Sequence, residues 1–316
     1  MSAARLVLVG GVLVDVVLYV PHVPAAGGDV LASDASVTTG GGFNVLAAAR
    51  RQGLAVTYLG RHGTGRFGDQ ARADLAAEGI TVGQPVSTEG DTGFCVGLVD
   101  ADAERTYATH TGVEGGLTRA HLDGLALEPD DALWLSGYDL AYPHGPLVVP
   151  WFAGLPAHHR TFFDPGPVVA GLDPAMLKAV LGRADWVSLN VAEARTLTGC
   201  PDAGSSARHW SRALPLPRAG VVVRDGAAGC WVVEADRPAE VRHVPVPLGP
   251  VTARDTSGAG DCHLGTFAAA LARGEEPTAA ARWANAAAAL SVQRVGSATG
   301  PTYAEVATAL GCGRAG

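Results

Sequence analysis

From residue 117 onward, short apolar runs alternate with helix-length stretches: Ala132–Leu135, Thr161–Phe163, Trp186–Leu189 and Val221–Val223. Runs this short and this apolar suit strands buried on both faces, and the stretches between them supply helical cover. The pattern confines this part of the chain to a parallel sheet in an α/β layer architecture. The N-terminal half opens in the same way. One buried strand is expected over about Leu6 to Val14, ending at Asp15, an acid at a strand's carboxyl end. That Asp also breaks what could pass for the apolar region of a signal peptide. No stretch approaches the roughly 18 apolar residues of a membrane span. Helices are expected at 40–53, entered by Gly40-Gly41-Gly42, and at 67–78, with a core strand at 56–59 between them.

Two segments break the alternation. Residues 16–38 and 93–112 read as strands without helices, the second as a hairpin with arms Phe94–Val99 and Arg105–Thr109. Strands without covering helices must bury a face on something. A small sheet lying over the active-site edge as a lid satisfies this. The expectation is one domain, 1–316, with the lid segments set into its α/β core.

Of 316 residues, 47% are hydrophobic and 17% charged, which implies a sizeable core. Net charge is −8 and no basic tract occurs, which argues against nucleic acid and anionic membranes as partners. The five cysteines are odd in number and form no CxxC pair. Free thiols in a reducing, cytoplasmic setting are expected, with neither a disulfide framework nor a zinc site. Exposed lid strands need cover, so a homodimer is expected.

The chemistry concentrates in Asp255-Thr256-Ser257-Gly258-Ala259-Gly260-Asp261, which runs directly into an apolar, Ala-rich helix. A helix start with bare N–H groups is an anion site. Asp261 sets a carboxylate beside it. An anion cradle next to a base suits phosphoryl transfer to a hydroxyl. The plain alternative is a tight turn with a capping Asp. Gly63–Gly68 also reads GxGxxG between a strand and a helix, but it is not on the first βαβ unit and no ribose-binding acid follows. A P-loop is excluded, because no G-x-x-x-x-G-K-[ST] occurs and the single lysine, Lys178, lies elsewhere. The histidines form no constellation: His158-His159 reads as surface loop and His263 as a helix-face residue.

The heptad 255–261 resembles the C-terminal signature of the ribokinase-like (PfkB) carbohydrate kinases, and further matches follow in order. Gly40-Gly41-Gly42-Phe43-Asn44 resembles the family's N-terminal Gly-rich signature. Asn190-Val191-Ala192-Glu193 resembles its Asn-x-x-Glu motif. Asp225-Gly226-Ala227-Ala228-Gly229 resembles its nucleotide-side glycine loop, and 284–290 the helix along its adenine pocket. Together they span residues 10 to about 300.

The resemblance implies a three-layer α/β/α core with a small β-sheet lid, and an ATP-dependent sugar kinase. Asp261 is then the base, and the amides of Gly258, Ala259 and Gly260 the anion hole. Asp15, Gly41, Gly42 and Asn44 would bind the acceptor. Arg224, Gly226, Gly229 and Asn285 would border ATP. Asn190 and Glu193, three apart on one helix face, would hold Mg²⁺ through water. Asp255, Ser291 and Gly296 would hold a monovalent cation, K⁺ or Na⁺. The expected acceptor is an unphosphorylated sugar. A nucleoside, with Phe43 and Tyr19 stacking on the base, is the alternative, ahead of a phosphosugar. A non-catalytic sugar or nucleotide sensor is the reading from another class. The sequence departs from the family at Phe43, where a small residue is usual, and in the loop 61–68. There Arg61 or Arg66 could reach a substrate phosphate or close the lid, against the plainer reading of a solvated loop arginine.

Overall fold

A computed structural model describes residues 5–102, 104–212 and 217–312. The outermost residues of the expected 1–316 domain therefore lie outside it. In chain order the first half contains β1 (Leu6–Leu8), β2 (Val12–Tyr19), β3 (Asp34–Gly41), α1 (Gly42–Arg51), β4 (Val56–Tyr58), α2 (Arg66–Ala77), β5 (Thr81–Val82), β6 (Phe94–Val99), β7 (Arg105–His110), α3 (Arg119–Asp123), β8 (Ala132–Ser136), α4 (Gly137–Ala141) and α5 (Gly145–Ala153). The second half contains β9 (Arg160–Asp164), α6 (Pro174–Arg183), β10 (Trp186–Asn190), α7 (Val191–Thr198), α8 (Ala203–Arg212), β11 (Gly220–Arg224), β12 (Cys230–Glu234), β13 (Val241–Val244), α9 (Ala259–Ala272), α10 (Pro277–Ser291) and α11 (Tyr303–Ala309).

Nine strands form the large sheet, in the order β13-β12-β11-β10-β9-β8-β1-β4-β5. All neighbours are parallel except the edge pairs β11–β12 and β12–β13. Successive strand residues feed opposite cores. Leu6, Leu8, Trp186 and Val222 pack with α1, α9 and α10 on one face. Val7, Val187, Val221 and Val223 pack with α5, α7 and α8 on the other. Two cores on either side of one sheet make the expected three layers.

The other four strands form a separate sheet, β3-β2-β6-β7. It corresponds to the expected lid, with one correction. The apolar run from Leu6 to Val14 is not one strand. It breaks at Gly10-Gly11, and β2 belongs to the lid. Asp15 is therefore a lid residue, not the end of a core strand. Nothing in a continuous apolar run announces that the chain leaves one sheet for another.

Both lid excursions return close to where they left. Gly42 N–H donates to Gly11 O at 2.9 Å, closing the first. At the second, the fully buried Glu114 carboxylate accepts N–H bonds from both Gly93 and Gly112, each 2.8 Å. Burial raises the Glu114 pKa, and these N–H bonds work against that shift. Among the described residues no helix is long and apolar enough to cross a membrane.

Candidate active site

The carboxyl ends of β9, β10 and β11 point to one place, and the N-terminus of α9 faces it. This is where open α/β sheets bind ligands. Gly258 caps α9 in the left-handed region, φ +67°. A Cβ there would collide with Ser297 O. Only glycine meets both demands, so the tight turn that aims the first amides of α9 outward is specified by residue type.

Asp261, in the first turn of α9, accepts a hydrogen bond from Asn44 Nδ2 at 3.0 Å. Desolvation raises its pKa to about 7, with Asp164 pushing the same way and Asn44 and Arg224 opposing. The other amide atom, Asn44 Oδ1, is buried and has no partner. An acceptor left bare beside a carboxylate is unusual in a folded protein and marks a place for a donor such as a hydroxyl. The structure thus brings together two residues expected at the site, from helices 217 positions apart.

Behind Asp261 lies a charge cluster. Arg224 donates Nη1 to Asp164 Oδ2 and to Ser188 Oγ, both at 2.8 Å, and its Nη2 lies 3.5 Å from Glu193 Oε2. Its guanidinium also lies against Gly260, 3.4 Å from where a Cβ would stand. Asn190 is the N-cap of α7 and forms a reciprocal capping box with Glu193. Asn190 Nδ2 adds a bond to Glu193 Oε1 at 2.6 Å. Desolvation first, then Asp164, raises the Glu193 pKa to about 7. Two carboxylates, Asp164 and Glu193, thus share one guanidinium, and Asp261 lies near enough to feel its charge. That surplus of negative charge and oxygen donors fits Mg²⁺ carried on nucleotide phosphates with its waters retained. No group of three or more His, Cys, Asp or Glu among the described residues forms a metal cage. Asp164 was missed from sequence, although an acid ending an apolar strand, the signal used for Asp15, would have found it.

Asp15 projects from β2 over Gly40, where any Cβ would collide with its carboxylate. Desolvation raises its pKa to about 6. It lies near enough to Asp261 to raise that pKa too, so the two carboxylates flank one space. Gly41, φ +60°, is exposed at the mouth of α1, while Gly42 is buried against Leu8 and Trp134. Two tyrosines that the sequence did not single out border the same space. Tyr107 on β7 lies across Gly97 and is 52% exposed. Tyr138, from α4, is 38% exposed and close enough to Asp15, Cys95, Tyr107 and Asp261 to have its pKa raised by them, after desolvation. Of the expected aromatics, Phe43 is turned away from this space, while Tyr19 shares the lid face of Asp15. Phe43 is buried in the core beside α9, and Tyr19 ends β2, four residues beyond Asp15.

Gly226 and Gly229, φ +54° and +100°, shape the turn that follows Arg224. Asn285 is buried, and both ends of its amide are used: Nδ2 bonds Val244 O at 2.8 Å and Oδ1 meets His263 Nε2 at 3.2 Å. It ties α10 to α9 and to β13. His263 is buried there with its pKa lowered to about 3, chiefly by desolvation, so it is a neutral packing residue. Arg61 is buried, not solvated, and bonds Gly116 O, Ser87 and Glu89. Arg66 lies over the Phe67 ring. The GxGxxG segment holds no phosphate cradle, since Asp91 takes the Phe67 and Gly68 amides at 3.0 and 2.7 Å. Asp255 bonds Arg105, Ser257 N and Gly296 N.

Known proteins resemble this chain along nearly its whole length. The sequence model of the pfkB family carbohydrate kinases matches residues 3–303. The uncharacterized sugar kinase YegV of Escherichia coli (strain K12) is 31% identical over 304 residues, covering 95% of this chain and 92% of that protein. Among solved structures, ribokinase from Cryptococcus neoformans in complex with ADP superposes with a TM-score of 0.82 at 21% identity, covering 98% of this chain and 99% of that one. A putative ribokinase II from E. coli in complex with ATP and Mg²⁺ gives 0.78 at 21% identity over 98% and 99%.

Proposed function

The chain belongs to the pfkB family of carbohydrate kinases, and from that premise we propose that it transfers the γ-phosphoryl group of ATP to a hydroxyl of an uncharged sugar, with Asp261 as general base. The observation that carries this reading is the Asn44–Asp261 pair: a carboxylate with pKa about 7 and, beside it, a bare buried acceptor. Asn44 Oδ1 and Asp15 accept hydrogen bonds from the sugar and orient it. Asp261 takes the proton of the attacking hydroxyl as its oxygen bonds to phosphorus and the bond to ADP breaks. The amides of Gly258, Ala259 and Gly260 hold the charge on the transferring oxygens. Arg224 leans on Gly260 from the nucleotide side, where Gly226 and Gly229 shape the adjoining turn and α10, carrying Asn285, forms the neighbouring wall. Asn190 and Glu193 would hold waters of a phosphate-bound Mg²⁺, which neutralises phosphate charge. An uncharged acceptor is favoured because, among the described residues, the arginines placed at the site above, Arg105 and Arg224, are each committed to carboxylates.

Tyr107 and Tyr138 favour a second reading, a nucleoside whose base stacks against them. One experiment decides: ADP release over a panel of sugars and nucleosides with Mg²⁺, for the wild type and Asp261→Asn. Turnover of a free sugar supports the first reading, and turnover confined to nucleosides the second. Nucleotide binding with no turnover of any acceptor would sink both and leave a sensor.

A further inference from the structure

Arg105 opens β7 at the far end of the lid. It alternates with Tyr107 and Thr109, so it shares the face of the lid sheet that looks onto the acceptor space. From there it reaches the catalytic loop. Its Nη2 donates to Asp255 Oδ1 at 2.8 Å and its Nη1 to Thr256 Oγ1 at 3.2 Å. Among the described residues this is the ion pair that joins the lid sheet to the segment forming the anion hole, 150 positions away.

The same Asp255 is expected from the family resemblance to ligate a monovalent cation with Ser291 and Gly296. The residues do not fit that ion. Asp255 Oδ1 takes Arg105 and Ser257 N, at 2.8 and 2.9 Å, and Oδ2 takes Gly296 N at 2.9 Å. Gly296 thus presents an N–H to the carboxylate, and an N–H cannot ligate a cation. The nearby carbonyls face donors as well. Thr299 Oγ1 lies between Ser291 O and Gly296 O, at 3.1 and 3.2 Å, and gives its one proton to either. Val292 O accepts from Arg254 N and Asp255 N at 2.7 and 3.1 Å. A compact charge needs several oxygens converging on one point. A guanidinium needs only a carboxylate and a hydroxyl in its plane, and it is charged at every working pH.

We propose that Arg105 is the resident counter-ion of the anion-hole loop, taking the place of a monovalent cation. Because it is carried by the lid, the loop that binds the transferring phosphoryl is set when the lid lies over the acceptor. An Asp255 carboxylate left alone three residues before Gly258 would repel the phosphates. Arg105 cancels that charge and fixes Thr256 in one contact. Arg105 is a positioning residue. The inference deepens the kinase reading at the same site and rests on it only for its activity readout.

Hydrogen exchange of the 256–261 amides tests it in KCl, in NaCl and in N-methylglucamine chloride at one ionic strength, for the wild type, Arg105→Ala and Arg105→Lys. Wild-type exchange is expected to be the same in all three salts. In Arg105→Ala these amides exchange about tenfold faster in all three salts, and added guanidinium chloride restores part of the protection. Arg105→Lys falls between. With an acceptor that the wild type phosphorylates, kcat follows the same order, and the wild type keeps its rate without K⁺ or Na⁺. Wild-type protection or kcat that rises severalfold with K⁺ would overturn the proposal, as would Arg105→Ala indistinguishable from wild type in every salt. The exchange readout needs no acceptor, so failure to find a kinase substrate leaves it legible. A working kinase that depends on K⁺ refutes this inference alone.

Discussion

Replacing Asp261 with Asn separates what this carboxylate does for the reaction from what it costs the fold. The carboxyl's folded pKa is about 7 against an ordinary value of 3.8. A raised acid pKa means the native state holds its proton more tightly than the unfolded chain. Its favourable contribution is complete below 3.8 and is lost as pH rises through 7. The full difference is about 4 kcal/mol at about pH 9, and about 1.5 kcal/mol is already lost at about pH 5. These are upper values, because the carboxylate is partly open to water. The asparagine does not titrate, and the bare Asn44 Oδ1 is ready to accept from its NH2 once the Asn44 amide turns over. Relative to wild type, Asp261→Asn should therefore gain about 3 kcal/mol between about pH 5 and about pH 9. Comparing the variant with wild type at two pH values cancels every change that does not titrate. Denaturant unfolding of both proteins at both pH values measures it. In the ADP-release assay kcat should fall by about 10²–10⁴-fold, the usual worth of a positioned base. If the stability difference is the same at both pH values, the carboxyl is not perturbed. If kcat stays within about tenfold, Asp261 is not the base.

Asn44→Ala removes the donor that lowers the Asp261 pKa, so the rising limb of kcat/KM against pH should move to higher pH, with about a 10- to 100-fold loss on the plateau. A shift to lower pH would contradict the pairing. Gly258→Ala puts a Cβ onto Ser297 O at φ +67°. It should cost about 1–2 kcal/mol of strain and about 10²-fold in kcat, read by thermal unfolding and turnover in a chain that still folds. Glu114→Gln retains one carbonyl oxygen for two N–H donors. It should destabilise by about 1–3 kcal/mol and speed hydrogen exchange at Gly93 and Gly112, while amides in β8 to β11 keep their protection.

The core of this fold was readable because each buried strand carries its own signal: a short apolar run, with a helix to either side. The heptad 255–261 was readable because its chemistry is local, one turn of backbone with an acid at its end. What stayed hidden depends on distance along the chain. Asn44 and Asp261 each stand in a legible motif, but nothing in the sequence pairs them, and Arg105 gives no sign that it ends on Asp255. Gly10-Gly11 could not be seen as a boundary, because both sheets ask for the same apolar residues. Phe43 shows the opposite hazard. Its position beside a substrate motif suggested a pocket, but its side chain obeys the helix, which turns it into the core. Asn285 lies in a recognised stretch, yet its amide serves backbone and histidine partners that no spacing discloses.

The lid's two excursions each leave and re-enter the core across a gap that one hydrogen bond or one carboxylate spans, Gly11 to Gly42 and Gly93 to Gly112 through Glu114. Neither excursion supplies a strand to the nine-stranded sheet. In genetic terms the lid is two inserts in an otherwise continuous α/β chain, and either could lengthen, shorten or be exchanged at its doorway with every ladder of the core intact. Asn44, Asp164, Arg224 and Asp261 belong to the uninterrupted part, whereas Asp15, Arg105 and Tyr107 belong to the inserts. On the proposed reading, the acceptor contacts at Asp15 and Tyr107 can therefore drift, or be redesigned, outside the core, provided that the second insert keeps Arg105 on Asp255.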